Sequence, residues 1–446
     1  MSDDPQKTTF SPPDVPDFDV IRSCVHCGFC LPTCPTYVLT GKERSSPRGR
    51  IWLMKSIAEG RMDMMDPIFE HEMSFCLNCR ACEAVCPSGV EYGQILEASR
   101  AQLERANNGG SLPARAAKGA TYGFLFKDMR RLRAASHGLK LYQKSGLQGA
   151  VRKTGVLNLI GLAEQEMMLP DMSDEFMTPH GQTWPAIGES LGRVALFTGC
   201  IMSTAYADVH QATIRVLNRN GYDVTAVSDQ GCCGALNVHG GDMDGGREQA
   251  RRNIDVFDLD TFDAVIINAA GCGAALKEYD HLLHEDPEYA ERAETFSSRV
   301  KDITEFLAEK GLNAMPGSYA KRVTYQEPCH LAHAQRITAQ PRSLLEAVPD
   351  LELVEMPESS LCCGSAGVYN VTQPDAARQL GDRKVDNALA VEPEIIVSAN
   401  PGCMLQLQGI LRSRGVDVEV LHIVELLDRA YRNRVPGRAS EQHAAD

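Results

Sequence analysis

Sixteen cysteines carry the chemistry legible in this chain, and their spacing sorts them into four groups with none left over. Cys24, Cys27, Cys30 and Cys34 read C-x2-C-x2-C-x3-C and are followed by Pro35. Cys76, Cys79, Cys82 and Cys86 repeat the run and are followed by Pro87. Thiols at such short intervals wrap three corners of an iron–sulfur cube, and the fourth corner is reached from a distance. In two-cluster ferredoxins the fourth cysteine of each run ligates the other cluster. On that pattern one 4Fe–4S cluster takes Cys24, Cys27, Cys30 and Cys86, and a second takes Cys76, Cys79, Cys82 and Cys34. Zinc fits these runs poorly, because zinc patterns set a C-x2-C pair against a distant second pair. A cube held by four thiolates has no open corner for substrate, so one-electron transfer is its expected role.

The other eight thiols are spaced differently. Cys200, Cys232, Cys233 and Cys272 form a third set, and Cys329, Cys362, Cys363 and Cys403 a fourth. Intervals of 31 and 38 residues in the third set become 32 and 39 in the fourth. GCCG (231–234) answers LCCG (361–364), RVALFTGC (193–200) answers RVTYQEPC (322–329), and AVIINAAGC (264–272) answers EIIVSANPGC (394–403). This is an internal repeat. Each copy predicts one metal centre: an iron–sulfur centre, a structural zinc, or four buried unligated thiols remain the alternatives. His330 and His333 stand beside Cys329 as supplementary ligands or as satisfied helix-start histidines. His26 falls inside the first loop and reads as a surface residue. Arg48 and Arg50 either balance cluster charge or serve the structure.

Around these groups the chain must build elements that hold them. Pro47-Arg48-Gly49-Arg50 leads into IWLMKSIAEG, a helix with proline near its start. In the repeats, apolar β-rich runs (VALF, VTAV, AVIIN) alternate with helical patterns, which predicts a small α/β domain with a largely parallel sheet in each copy. Cys200, Cys272, Cys329 and Cys403 follow strand-like runs directly. Sites in such sheets form beyond the carboxyl ends of strands, so folding can gather the widely spaced thiols. DITEFLAEKG (302–311) and HIVELLDRAY (422–431) close the two copies as similar helices. The fold class is therefore α+β and multi-domain: a helical bis-4Fe–4S ferredoxin-like domain, then two repeated small α/β domains. The expected boundaries are a disordered tail 1–17, a ferredoxin-type domain 18–105, a helical basic linker 106–190, repeats at 191–315 and 316–432, and a disordered tail 433–446.

At 446 residues, with 43% hydrophobic and 23% charged residues, the chain reads as a globular protein of about three domains. A net charge of −14 and few aromatics argue against nucleic-acid binding. The N-terminus lacks the pattern of a signal peptide, and no apolar stretch approaches a membrane span. A cytoplasmic protein is expected, at most peripheral on the inner face of the plasma membrane. Thiols in that compartment favour metal over disulfides. From Ser111 to Lys153 ten Lys/Arg face a single acid, Asp128, with apolar residues interleaved. Such a basic amphipathic segment is either a membrane-surface or partner-docking element, or a solvated linker. No G-x-G-x-x-G, P-loop, nucleophile elbow or H-E-x-x-H is present. The flavin that abstracts hydride is therefore expected on another chain.

The repeats resemble the cysteine-rich CCG domain of heterodisulfide reductases and their relatives. The full motif of that family ends in C-x2-C and can hold a non-cubane 4Fe–4S cluster; here Ala275 and Gln406 stand where the last cysteine would fall. The whole pattern, CVHCGFCLPTCPTY, SPRGRIWLMK, CLNCRACEAVCPSGVEY and two CCG repeats over residues 18–432, closely resembles the iron–sulfur subunit of bacterial glycolate oxidase. The resemblance implies an electron-transfer subunit of an enzyme complex whose FAD-containing partner subunits oxidise glycolate to glyoxylate. It implies delivery of electrons to quinone or another respiratory acceptor at the inner face of the membrane. The eight ferredoxin-type cysteines carry over position by position. Alternative roles are a heterodisulfide-reductase-like subunit, or the iron–sulfur subunit of a lactate or glycerol-3-phosphate dehydrogenase, with redox chemistry at the CCG centres.

Overall fold

The structure, a computed structural model, describes residues 9–107, 111–159 and 166–433. The front of the chain is helical. Its helices Pro35–Thr40, Pro47–Ala58 and Pro67–Phe75 all begin on proline, whose fixed φ suits the first helical position. Cys34 is the extended residue ahead of Pro35, so the Cys-Pro pair sets a thiol at the mouth of a helix. Ser46 Oγ accepts the Gly49 N–H and starts the second of these helices where the sequence predicts it. The apolar faces of the second and third meet helix Tyr92–Ala106 in a core that includes Ile21, Met54, Phe69, Met73 and Ile95, while Pro35–Thr40 packs on helix Pro374–Leu389.

Expected as a tail, residues 1–17 divide. Residues 1–8 lie outside the described residues. Ser11, Pro13 and Asp14 are bonded through their backbone to the Gln102 side chain, and the Asp14 carboxylate pairs with Arg105 and Arg247. The C-terminal tail, except Asn433, lies outside the described residues.

Two sheets follow the linker helices. The first runs β1 (Thr183–Trp184), β3 (Tyr222–Ala226), β2 (Gly192–Leu196), β4 (Ala264–Ile267), β5 (Val300–Asp302) in spatial order. The second runs β7 (Glu352–Leu353), β6 (Arg322–Tyr325), β8 (Ile395–Ser398), β9 (Glu419–His422). Apart from β1, every neighbouring pair is parallel, and the orders 3-2-4-5 and 7-6-8-9 are the same topology. β1 is an antiparallel edge strand inside the stretch read as linker; two residues ahead of Pro185 carry no strand pattern of their own.

Parallel strands covered on both faces need continuous apolar runs, and β4 and β8 are wholly buried. Each repeat closes with a helix started by a capping box, Asp302 with Glu305 in one and His422 with Glu425 in the other. Helix Ala207–Arg219 lies against Ile423–Arg432, where Arg215 grips the Asp428 carboxylate with two nitrogens (3.0 and 2.7 Å). His422 Nε2 donates to Asn268 O (2.8 Å) and Ala270 N–H to Ala399 O (3.1 Å), so the two repeats join at the loops that follow β4 and β8.

Candidate metal and electron-transfer centres

Strand order reverses between β2 and β4, and again between β6 and β8. A crevice opens at such switch points beyond the carboxyl ends of the strands. Cys200 follows β2 and Cys272 follows β4, while Cys232 and Cys233 come in from the loop after β3. Cys329, Cys403 and the Cys362–Cys363 pair occupy the same places in the second sheet. The sulfurs of each set form a chain. Cys232 and Cys200 lie 3.7 Å apart, and Cys233 bonds both Cys232 and Cys272. Cys329 and Cys362 lie 3.9 Å apart, and Cys363 bonds both Cys362 and Cys403. Hydrogen bonds from its neighbours hold Cys232 well below the ordinary thiol range, and the same cause lowers Cys363.

All eight of these thiols line one cavity of about 690 Å³, and Cys76 of the second ferredoxin-type run lines it too. Among the described residues no three Cys, His, Asp or Glu side chains are gathered closely enough to hold a single ion. The thiols are strung along a wall instead.

At the front, Cys24, Cys27, Cys30, Cys82 and Cys86 line one small surface cavity together with Arg48. Burial pushes the Cys30 thiol up to about 11, against a hydrogen bond from the Arg48 backbone. Gly28, at φ +88°, lets the Arg48 guanidinium approach, and Arg48 Nη1 donates to His26 O (3.0 Å). His26 is exposed, edge-on to Trp52. Cys27, Val25, Phe29 and Trp52 are exposed around this cavity.

Cys34, Cys76, Cys79 and Cys82 are buried behind it. Burial raises Cys79 and Cys82 well above the thiol range, and the charges of Cys34 and Cys76 add to this. Cys86 thus lies with Cys24, Cys27 and Cys30, and Cys34 lies near Cys79 and Cys82 as well as Cys30. Tyr92 Oη lies 3.7 Å from Cys76 Sγ, and the Asn78 N–H 3.5 Å from the same sulfur. Thiolate donors of this softness suit iron–sulfur cores.

The two arginines of the PRGR turn have different roles. Arg48 faces solvent and the Glu43 carboxylate (2.6 Å). Arg50 is wholly buried, donating to Ser45 O (2.9 Å) and Glu72 O (2.7 Å) beside the Glu72 carboxylate, with Cys76 and Cys34 in its field. His330 Nε2 donates to Asn78 O (2.9 Å) and His333 Nε2 to Ser360 O (3.0 Å). Burial lowers both histidines, His330 to about 3, so they are satisfied neutral rings, each with that nitrogen occupied.

Three features escaped the sequence. Arg100 donates to Met73 O (3.0 Å), Cys76 O (2.5 Å) and His239 O (2.8 Å), closing the end of helix Pro67–Phe75 and tying it to the first repeat. Lys384 is fully buried against Glu358 O (2.5 Å) and Ser359 O (3.1 Å), in the field of Cys363, Cys362 and Cys403. Gly234 packs on Gly246 and Gln249 as Gly364 packs on Ala377 and Leu380, which makes Asn253 the counterpart of Lys384. Asn253 donates to Cys232 O (2.8 Å) and is neutral. A lone lysine in helix Pro374–Leu389 gives no sequence signal of this role.

Comparison with known proteins agrees with this layout. The 4Fe–4S dicluster domain family matches residues 23–90, and the cysteine-rich domain family matches 194–277 and 323–408. Between them, the linker region of the glycolate oxidase iron–sulfur subunit matches 113–169. A probable glycolate oxidase iron–sulfur subunit of Bacillus subtilis is 42% identical over 415 residues, 91% of this chain and 93% of that one. The chain belongs to the glycolate oxidase iron–sulfur subunit family. The Escherichia coli glycolate oxidase iron–sulfur subunit is 34% identical, over 92% of this chain and 94% of that one. A fumarate reductase (CoM/CoB) subunit of Methanothermobacter marburgensis is 28% identical, over 94% of this chain and 74% of that one. Family membership brings a two-cluster 4Fe–4S domain and leaves the contents of the CCG sets undefined.

Proposed function

We propose that this chain is the electron relay of a flavin-dependent glycolate oxidase, taking electrons from FAD-containing partner subunits and passing them to respiratory quinone. Bound 4Fe–4S clusters supply one-electron chemistry, which splits the two-electron output of a flavin. The observation that carries the reading is the order of the thiol sets from surface to interior. Cys24, Cys27, Cys30 and Cys86 sit where a partner can dock, amid exposed Val25, Phe29 and Trp52. Cys34, Cys76, Cys79 and Cys82 are buried next, and Cys79 joins Cys362 and Cys329 in one apolar cluster, which supports handover to the second repeat.

The inner face of the membrane suits the linker. No described helix is long and apolar enough to cross a bilayer. Leu112, Phe124, Leu141 and Leu147 are exposed among the lysines and arginines of 111–153, a surface able to lie on anionic lipid.

In the assembled complex, Cys27→Ser or Cys79→Ser is expected to abolish glycolate-driven quinone reduction while flavin reduction by glycolate persists. Retained turnover in both variants refutes the relay. Disulfide reduction by the isolated chain would favour the heterodisulfide-reductase-like reading instead, against which stand Ala275 and Gln406.

A further inference from the structure

We propose that the face around the front cysteine cavity docks the FAD-containing partner subunit, with Phe29 and Trp52 as anchors and an arginine rim that meets carboxylates on that subunit. The proposal rests on the relay reading and says where the electron donor binds and what surface it must present.

The loop that carries the first cysteine run projects its apolar side chains into solvent. Val25 (67% exposed) and Phe29 (65%) stand on either side of Cys27, itself exposed. Trp52, 48% exposed, comes from helix Pro47–Ala58 and lies against His26 of the loop, with ring centres 6.1 Å apart. Large apolar side chains exposed together around a thiol set mark an interaction surface.

The loop is also held in shape before any partner arrives. His26 (φ +54°) and Gly28 (φ +88°) both take left-handed backbone. Arg48 Nη1 donates to His26 O (3.0 Å), and the Leu31 N–H closes the turn on Gly28 O (3.0 Å). A surface ordered in advance loses little conformational entropy on binding. Aromatic and arginine side chains dominate the binding energy of protein interfaces, and here they come in pairs. The Arg61 guanidinium lies 4.9 Å from the centre of the Trp52 ring, and that of Arg22 lies 5.8 Å from the centre of the Phe18 ring.

Charge selects the occupant. Residues 18–62 hold seven Lys/Arg against three Asp/Glu, in a chain whose net charge is −14. Arg22, two residues ahead of Cys24, and Arg61 are exposed, and Arg48 lines the cavity, which no Asp or Glu does. An apolar centre with a charged rim is the layout of a specific interface. Its complement is apolar at the centre and rich in carboxylates at the edge. A second copy of this chain would set basic rim against basic rim, because a two-fold contact pairs a patch with itself. A bilayer suits the linker instead, none of whose residues lines this cavity. The electron donor is the occupant that remains, and it must reach the thiol set nearest to solvent.

The test uses the complex co-expressed with its flavin subunits, one of them tagged. EPR of the wild-type complex after glycolate addition first establishes whether the clusters become reduced; if they do not, the relay reading itself fails. Affinity for the tagged flavin subunit, and iron per chain, are then measured for Phe29→Ser, Trp52→Ala and Arg61→Glu. Ile187→Glu, equally exposed but on the edge of the first repeat, is the control. Phe29→Ser and Trp52→Ala are each expected to raise Kd about tenfold, equivalent to about 1.4 kcal/mol, with iron unchanged. Arg61→Glu is expected to raise Kd at low salt, with the difference from wild type shrinking at 0.5 M salt as charges are screened. Should Trp52→Ala lose iron, Phe29→Ser, whose side chain lies mostly in solvent, decides. Clusters reduced by glycolate together with a wild-type Kd for Phe29→Ser overturn the docking proposal and leave the relay standing. Loss of self-association or of vesicle binding in these variants, with flavin-subunit binding intact, overturns it in favour of a second copy or a membrane.

Discussion

Arg50→Met tests the electrostatics of the buried cysteine set. Arg50 and Glu72 are both wholly inaccessible, with Nη2 at 3.4 Å from the carboxylate. Methionine fills much of the volume but removes the charge and the donors to Ser45 O and Glu72 O. Breaking a buried pair from one side costs roughly 3–5 kcal/mol. Arg44, half exposed and 3.2 Å from the same carboxylate, and the Ser45 hydroxyl at 3.0 Å remain as partners. They place the loss near the low end, about 3 kcal/mol. The second consequence is on potential. At an effective dielectric near 20, a unit charge contributes about 4 kcal/mol at 4 Å and about half that at twice the distance. Allowing for relaxation and the compensating Glu72, removal of the cation disfavours the more negative, reduced state by roughly 1–2 kcal/mol, or about 40–90 mV downward for a one-electron couple. An anaerobic EPR redox titration reads the potential, and loss of cluster absorbance in urea reads the stability. Arg50→Lys keeps the charge without the fork, so its stability falls while its potential stays near wild type. An unchanged potential in Arg50→Met, or an equal shift in Arg50→Lys, would refute the charge argument.

Gly49→Ala puts a Cβ into the Glu43 carbonyl, backbone against backbone; the front helices should fail to close, and iron per chain should drop by about half or more if both clusters are lost with them. Burial pushes the Asp302 carboxyl from 3.8 up to about 6. A folded pKa above the ordinary one means its stabilising contribution is complete below about 4 and lost as pH climbs through 6, a change of about 3 kcal/mol. Asp302→Asn, which keeps the acceptor for Thr304 N–H, should flatten that dependence in hydrogen exchange of helix Ile303–Lys310. Lys384→Met removes a buried cation beside the fourth cysteine set and should weaken metal retention there, whereas Asn253→Asp should not impair the fourth set; metal analysis of each variant separates them. Phe124→Gln with Leu141→Gln should reduce binding to vesicles containing phosphatidylserine several-fold, with the remaining binding abolished by high salt.

Much of the fold was legible because its signals are local. A C-x2-C-x2-C-x3-C-P run must wrap a small object, and Pro47 ahead of IWLMKSIAEG marks a helix start. The strands β2, β4, β6 and β8 show as apolar runs because they are buried on both faces. The repeat and its similar closing helices were visible by self-comparison, while the capping boxes that start those helices were seen only in the structure. β1 was not legible, since a two-residue edge strand is stabilised only by its partner β3. Nor were the separate roles of Arg48 and Arg50, two residues apart on one turn, because burial and not identity distinguishes them.

The sequence by itself determined the ligand types, their grouping and the iron–sulfur chemistry of the front domain, because thiolate spacing along a short loop fixes which metal core it can enclose. Only the tertiary structure decided that both CCG sets open onto one cavity with Cys76 at its wall. It also decided that Cys79 meets the second repeat, that Lys384 is buried beside the fourth cysteine set, and that Glu97 bonds Asn78 and His239. Those relations join residues 19 to about 300 positions apart. They arise from how two switch-point crevices and a helical module pack together, which no interval along the chain encodes.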